Sequence, residues 1–242
     1  EDGNVDFILG WGSSGVTPNP GTQLFLGNGL GGFTQSLLLS SANTSQITNI
    51  KVADFNNDHH KDVIIISSTV GTSRIGLGNG LGGFTFSSLP STLVTGAYDF
   101  LNTGDFNGDG NVDIIRPPVA SVTPAYIYLG NGLGGFTLNT SLPITTTTGT
   151  NGMVVGYPNV YDFNHDGFDD IFACGGSICS LILGNNSGTF SGFSFTTSLT
   201  NGYLFADFNN DNFPDIYRAN INSYYPGTNS FPYFGTLKAT TT

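Results

Sequence analysis

The stretch DFNGDGNVD lies at residues 105–113, and close copies of it recur along the chain. A shortened copy, EDGNVD at residues 1–6, matches the second half of the stretch. The last Asp residues of successive copies are about 50 residues apart, a period typical of repeat proteins. The other complete copies are DFNNDHHKD at 54–62, DFNHDGFDD at 162–170 and DFNNDNFPD at 207–215.

A second motif, LGNGLGGFT, alternates with the first and is identical at 26–34, 77–85 and 129–137. Looser versions are LGNNSGTFS at 183–191 and PGTNSF at 226–231. The motif contains GxGxxG, but dinucleotide binding requires a helix after the glycines, and here Phe-Thr and a strand pattern follow. Because Asn-Gly favours tight hairpins, we interpret the motif as a turn between two strands.

The segments around the Asp-rich stretches have β-strand character. An apolar segment precedes each complete stretch, as in ITNIKVA at 47–53, and a β-branched run follows it, as in DVIIIS at 62–67. With the strands on either side of the Gly-rich turn, each unit has four strands. We therefore predict one all-β domain over 1–242, a β-propeller of about five four-stranded blades. The repeats are approximately 1–53, 54–104, 105–161, 162–206 and 207–242. A solenoid is the alternative, although its units are usually shorter.

Each complete Asp-rich stretch predicts a calcium-binding loop. Counted from its first Asp, loop positions 1, 3, 5 and 9 are Asp, Asn, Asp and Asp, and position 7 can add a backbone carbonyl. Calcium accepts six to eight oxygen ligands in flexible geometry, whereas magnesium demands a stricter octahedron. The predicted ligands are Asp54, Asn56, Asp58, His60 and Asp62; Asp105, Asn107, Asp109, Asn111 and Asp113; Asp162, Asn164, Asp166, Phe168 and Asp170; Asp207, Asn209, Asp211, Phe213 and Asp215; and Asp2 and Asp6 in the shortened copy.

The charge distribution agrees with this prediction. Fourteen of the sixteen Asp residues occupy these positions, and only Asp99 and Asp169 lie outside them. Four bound calcium ions, and a fifth if the shortened loop binds one, would offset most of the formal charge of −11. The loops differ from EF-hands, which close with a Glu at position 12 and have flanking helices. Asx-turns without metal are the alternative interpretation.

Composition excludes several function classes. A chain with 17 acidic and six basic residues is a poor partner for nucleic acid, which is bound by clustered Lys and Arg. Few carboxylates are left to act as catalytic acids or bases, because nearly every carboxylate belongs to a predicted loop. We therefore expect a protein that is not an enzyme.

Two further kinds of covalent site are predicted. Cys174 and Cys179 lie in CGGSIC, where two glycines allow a tight turn, so a disulfide across a β-hairpin is reasonable; two buried free thiols are the alternative. Asn43, Asn139 and Asn185 each begin an N-x-[ST] sequence and are glycosylation candidates if the source is eukaryotic.

The combination of DFNGDGNVDI with LGNGLGGFT resembles the FG-GAP, or VCBS-type, repeat of integrin α-subunit propellers and of related bacterial and fungal proteins. The resemblance covers essentially the whole chain. It implies a propeller with calcium loops on one face, used in extracellular adhesion or glycan recognition, and some relatives are lectins of the Psathyrella type. This chain departs from integrins in having five units rather than seven, with an incomplete first loop.

We therefore expect a calcium-binding β-propeller that acts outside the cell or at its surface. Its expected role is adhesion or assembly of an extracellular structure. The alternative is a calcium-stabilised lectin. The expected partners are an extracellular protein or glycan, or other copies of the chain.

Overall fold

The fold is seen in a computed structural model. It describes residues 2–10, 22–40, 47–68, 71–93, 101–116, 126–139, 159–175, 178–186, 190–196, 203–208, 210, 214–218 and 223–225. All regular structure in these ranges is β-strand, which confirms the all-β prediction.

The strands form five antiparallel sheets, in which strands adjacent in sequence pair with each other. The first sheet contains β1 (Phe7–Gly10), β2 (Thr22–Gly27) and β3 (Phe33–Ser40). The second contains β4 (Ile47–Ala53), β5 (Asp62–Ser67), β6 (Arg74–Gly78) and β7 (Phe84–Ser88). The third contains β8 (Asn102–Gly104), β9 (Asp113–Arg116), β10 (Tyr126–Gly130) and β11 (Phe136–Asn139). The fourth contains β12 (Asn159–Tyr161), β13 (Asp170–Gly175), β14 (Ile178–Leu183) and β15 (Ser191–Thr196). The fifth contains β16 (Tyr203–Ala206), β17 (Asp215–Arg218) and β18 (Ser223–Tyr225).

The predicted four-stranded unit is present in the second, third and fourth sheets. Within the described residues, the first and fifth sheets hold three strands each. In the second to fifth sheets, the first strand precedes the Asp-rich loop and the second strand follows it. The predicted repeats start at these loops. In these four sheets, the first strand therefore belongs to the end of the preceding repeat.

The second strands of the second and third sheets, β5 and β9, are buried on both faces because sheets pack against them from both sides. In β5, Val63 and Ile65 join the core shared with the first sheet, whereas Ile64 and Ile66 join the core shared with the third. Successive side chains of a strand point to opposite faces, so a continuous apolar run can serve two cores.

In the loops of the second and third sheets, the Phe at loop position 2 anchors the loop in the core between its own sheet and the next. Phe55 is buried, and its ring centroid lies 5.9 Å from that of Phe136 on the third sheet. Phe106 repeats this arrangement 6.5 Å from Phe190, next to the fourth sheet. A buried aromatic side chain contributes a large apolar area. The loops are thus held in place by the same cores that join the sheets.

The Asp at loop position 9, here called the closing Asp, connects the two sequence motifs by hydrogen bonds. Asp62 is fully buried and accepts the Phe55 N–H through Oδ2 at 2.8 Å and the Gly78 N–H through Oδ1 at 2.7 Å. Asp113 and Asp170 accept the corresponding N–H groups of their own units at 2.8–3.1 Å.

The Gly that donates to the closing Asp lies where the third strand approaches the loop. A Cβ atom on Gly78 would collide with the backbone carbonyl of Lys61, so only glycine fits there. The Asp loop and the Gly-rich turn are therefore two halves of one hydrogen-bonded structure, a link that sequence analysis did not identify.

We expect Asp113→Ala to lower the free energy of unfolding by about 2 kcal/mol in metal-free buffer. Two buried N–H groups lose their acceptor at about 1–3 kcal/mol each, and relief from burying the carboxyl group offsets part of that cost. Urea unfolding at pH 6 measures the change. Asp6→Ala is the matched control, because Asp6 is an exposed closing Asp with one hydrogen bond among the described residues, from the Gly27 N–H to its Oδ1; it should cost less than about 1 kcal/mol. Equal losses from both substitutions would contradict the structural role of the buried closing Asp.

Candidate functional site

The complete loops of the second, third and fourth sheets share one backbone conformation. Positions 4 and 6 have positive φ angles in all three. They are glycines in the third loop, whereas Asn57 and His59, at 59° and 69°, fill them in the second. Glycine adopts this left-handed region freely and Asn more readily than most residues. These two residues per loop coil the chain so that positions 4–6 are exposed while positions 1 and 3 are half-buried.

The carboxylate at position 1 accepts hydrogen bonds from the backbone of its own loop. Asp54 accepts the His59 N–H through Oδ2 at 2.8 Å. Asp105 and Asp162 accept the position-6 N–H of their loops through the same oxygen, both at 2.9 Å. The Oδ1 atom accepts the position-5 N–H at 3.1–3.2 Å in all three loops. The first Asp of each loop is therefore held in a fixed orientation.

The side chains at positions 3 and 5 interact with each other in the same repeated way. Asn56 donates from its Nδ2 to Asp58 Oδ2 at 2.9 Å, and Asp58 Oδ1 accepts the His60 N–H at 2.8 Å. The amide of Asn56 and the His60 N–H lower the pKa of the Asp58 carboxyl. The third and fourth loops repeat these contacts with Asn107, Asp109, Asn164 and Asp166.

The closing Asp has the opposite electrostatic environment. Burial raises the pKa of the Asp113 carboxyl to about 7, although the N–H groups of Gly130 and Phe106 oppose this rise. The charges of Asp109 and Asp105 raise the pKa further. The same causes raise the pKa of Asp170 to about 7 and raise that of Asp62. Each loop thus places three carboxylates within electrostatic reach of one another.

Neighbouring loops contact each other directly. Asn57 donates to Asn111 Oδ1 at 2.7 Å, which joins the second loop to the third. Asp105 donates its N–H to Asp169 Oδ2 at 2.8 Å, and the Asp169 N–H donates to the Asp105 carbonyl at 3.0 Å. Asp169 therefore joins the third loop to the fourth. Sequence analysis placed it outside the ligand set and did not detect this role, for which the unusual Asp-Asp pair at 169–170 was the available signal.

The loops at the two ends of the series are described less fully. Asp2 accepts the N–H and the side-chain amide of Asn4, both at 2.9 Å, and these bonds lower its pKa. In the last loop, the closing Asp215 accepts the Phe208 N–H at 2.8 Å, and Asp207 is half-buried. Asn209, Asp211 and Phe213 lie outside the described residues.

The donor chemistry of the loops fits a hard cation such as calcium. Each complete loop offers carboxylate, amide and carbonyl oxygens, with no sulfur. A carboxylate oxygen that accepts one N–H retains a lone pair. In the described part of the chain, no group of three or more acidic, His or Cys side chains converges into a metal-binding cluster. The calcium ligands, including the position-7 carbonyls of His60, Asn111 and Phe168, stay a prediction.

The covalent sites also stay predictions. Cys174 and Cys179 are paired residues in the register of β13 and β14, the relation that a cross-strand disulfide needs. Asn139 ends β11 and is half-buried, as is Asn185 after β14. Asn43 lies outside the described residues. None of the described segments forms a helix long and apolar enough to span a membrane.

Comparison with known proteins identifies both the repeat and the fold. The family of FG-GAP-like repeats matches residues 1–65, 54–116 and 162–217. Among solved structures, a lectin of Agrocybe aegerita, described as recognising non-reducing terminal N-acetylglucosamine, is similar at a TM-score of 0.70 and 20% identity. The similarity covers 90% of this chain and 60% of the lectin chain.

A Tc holotoxin pore of Photorhabdus luminescens, in a mutant form, is similar at a TM-score of 0.48 and 18% identity, over 80% of this chain and 10% of that one. A comparison with curated protein sequences finds no match. The lectin shares the β-propeller fold, so the sheets described above are propeller blades. The chain belongs to the family of FG-GAP-like repeat proteins.

Proposed function

We propose that this chain is a non-enzymatic, extracellular, calcium-binding β-propeller that serves adhesion or the assembly of a surface structure. The observation that carries the proposal is the set of three loops with the same backbone, the same exposure pattern and the same carboxylate contacts. A single Asx-turn explains one such loop. Repetition of every oxygen-bearing position in three loops favours a shared ligand over three independent turns.

Electrostatics supports a cation as that ligand. In the third loop, the charges of Asp105 and Asp109 disfavour ionisation of the buried Asp113. A divalent cation among these groups would offset the repulsion and hold the loop together. In that loop Asp105, Asn107, Asp109, Asp113 and the Asn111 carbonyl would hold the ion, and the ion would supply charge neutralisation only.

The remaining parts of the proposal follow from the same loops. Most acidic side chains belong to them, which leaves few carboxylates for acid–base chemistry. Extracellular calcium modules need only modest affinity, which suits shallow loops exposed at positions 4–6. A rigid propeller with cation-stabilised loops would present a fixed surface to an extracellular protein, a glycan or another copy of itself.

Carbohydrate binding is the second candidate function. The observation that favours it is the similarity in fold, over 90% of this chain, to the Agrocybe aegerita lectin. That protein is described as binding terminal N-acetylglucosamine, so this sugar is the first ligand to test. Here calcium would stabilise the blades between which a sugar could bind.

We expect the metal-free chain to bind about four calcium ions, with a rise in melting temperature of at least about 5 °C. Ions that bind only the folded state stabilise it by mass action, and 1 kcal/mol corresponds to about 2–4 °C in a domain of this size. Calorimetric titration gives the stoichiometry, and thermal unfolding gives the shift.

Asp109→Ala should reduce the stoichiometry by one ion, because it removes the position-5 ligand of one loop. Asp169→Asn is the matched control: this acidic residue lies outside the ligand set, so the number of ions should stay unchanged. An unchanged melting curve on calcium addition, or the same stoichiometry in Asp109→Ala and wild type, would refute the assignment.

We expect the metal-free chain to become less stable between pH 5 and pH 8. The pKa values of Asp113 and Asp170 are raised to about 7 in the folded state, against about 3.9 when unfolded. The folded state thus binds more protons in this range, and stability is lost as pH rises through 7. Urea unfolding in resin-treated buffer measures the trend, which Asp113→Asn with Asp170→Asn should flatten. A rise in stability over this range would contradict the prediction.

For the second candidate function, we expect the calcium-loaded chain to be retained on an array by glycans with non-reducing terminal N-acetylglucosamine. Free N-acetylglucosamine should compete, and removal of calcium should weaken binding because the blades loosen. A blank array, together with no heat of binding when free N-acetylglucosamine is titrated to about 50 mM, would count against carbohydrate binding without affecting the calcium prediction.

A further inference from the structure

The third and fourth loops are joined by a pair of hydrogen bonds that centre on Asp169. This residue is position 8 of the fourth loop, so it lies between two predicted calcium ligands, the Phe168 carbonyl and Asp170. Its Oδ2 accepts the Asp105 N–H at 2.8 Å, and its own N–H donates to the Asp105 carbonyl at 3.0 Å. Because Asp105 is the position-1 ligand of the third loop, the backbone on both sides of that ligand is bonded to the fourth loop.

Close packing reinforces this contact. The Phe168 ring covers Gly108, position 4 of the third loop, so closely that a Cβ atom on Gly108 would collide with the ring. A Cβ atom on Gly104, the residue before the third loop, would lie 2.7 Å from Asp169 Oδ2. Such close contacts leave no room for the two segments to shift independently. Movement of residues 168–170 therefore disturbs the third loop.

The boundary between the second and third loops has a weaker version of this contact. Position 4 of one loop again meets position 7 of the next, here through the exposed hydrogen bond from Asn57 to Asn111. Position 8 of the third loop is Val112, whose side chain accepts no hydrogen bond. Only the fourth copy has a carboxylate at position 8; the others have Val5, Lys61, Val112 and Pro214.

The Asp169 carboxylate is also close to the charges of both loops. It is half-buried and within electrostatic reach of Asp105 and Asp162, the position-1 residues of the third and fourth loops. Seven carboxylates belong to these two loops together with Asp169. The group therefore stays negatively charged after two divalent cations bind, so a cation in one loop leaves the other loop attractive to a second cation.

We propose that the third and fourth loops bind their cations cooperatively and that Asp169 couples them; this inference rests on the calcium-binding function proposed above. An ion in the fourth loop fixes the Phe168 carbonyl and Asp170, and so holds Asp169 between them. Asp169 then holds the backbone of Asp105 where the third loop needs it. The first ion has thus already ordered part of the second site, so the second ion binds more tightly. Linkage makes the effect reciprocal.

Calcium titration of the full chain, followed through the NMR signals of ¹⁵N-labelled glycine amides, tests the coupling. The N–H groups of Gly110 and Gly167 donate to the position-1 carboxylates of the third and fourth loops, so their signals report on each loop separately. Asp109→Ala disables the third loop, and we expect it to raise the calcium midpoint of the Gly167 signal at least about five-fold.

Asp58→Ala is the control for disabling a loop. It removes the position-5 ligand of the second loop, whose described contacts lead to the third loop. We therefore expect it to shift the Gly167 midpoint less than about two-fold. A Gly167 midpoint that Asp109→Ala leaves unchanged would overturn the coupling while leaving the calcium prediction intact. Absence of any response of the glycine signals to calcium would refute both.

Substitution of Asp169 tests the route of the coupling. In a chain with Asp169→Ala, we expect Asp109→Ala to shift the Gly167 midpoint less than about two-fold, because the link between the loops is lost. Asp169→Asn keeps an oxygen that can accept the Asp105 N–H, so it should preserve the five-fold effect. Equal loss of coupling in the Ala and Asn variants, or full coupling in both, would overturn the role given to this hydrogen bond. If Asp169→Ala does not fold, the comparison of Asp109→Ala with Asp58→Ala still decides whether the loops are coupled.

Discussion

The fold depends on a buried carboxylate that accepts two backbone N–H groups. Asp62, Asp113 and Asp170 each join the second residue of the Asp loop to the Gly at the end of the third strand. This bond pair fixes the loop, the second strand and the Gly-rich turn relative to one another. Glu would be too long to reach both donors from the same backbone position, and Asn would replace an acceptor with a donor. The near absence of Glu from the chain agrees with this requirement for a short side chain.

Burial of that carboxylate creates the electrostatic problem that defines the candidate site. Two other carboxylates of the same loop lie close enough to raise its pKa, and two hydrogen bonds only partly compensate the loss of water. The position-1 and position-5 carboxylates are more exposed than the closing Asp and accept N–H groups of their own loop. The loop is therefore ordered by its backbone, with its remaining unfavourable charge concentrated at position 9. That distribution is the basis on which we propose a divalent cation as the ligand of these loops.

The fold class and the position of the loops could be predicted because both are local, periodic properties of the sequence. The 50-residue period, the β-branched runs and the Asn-Gly turns each report on a few neighbouring residues. The contacts of the closing Asp were missed because its Gly partner lies 14 to 21 residues away, a distance that varies among units. Asp169 was missed because its partner Asp105 is 64 residues distant. Repetition shows which residues recur, but strand register determines which of them meet.

The second and third loops each contact the unit that follows them in the chain. Phe55 packs on the following unit, Asn57 donates to the following loop, and the backbone of Asp105 pairs with Asp169 of the loop after it. Each unit thus contributes a loop to the next interface and receives one from the unit before. Stability in such arrays is approximately a sum of nearest-neighbour terms, so a substitution in one loop should weaken the interface that this loop enters more than the others.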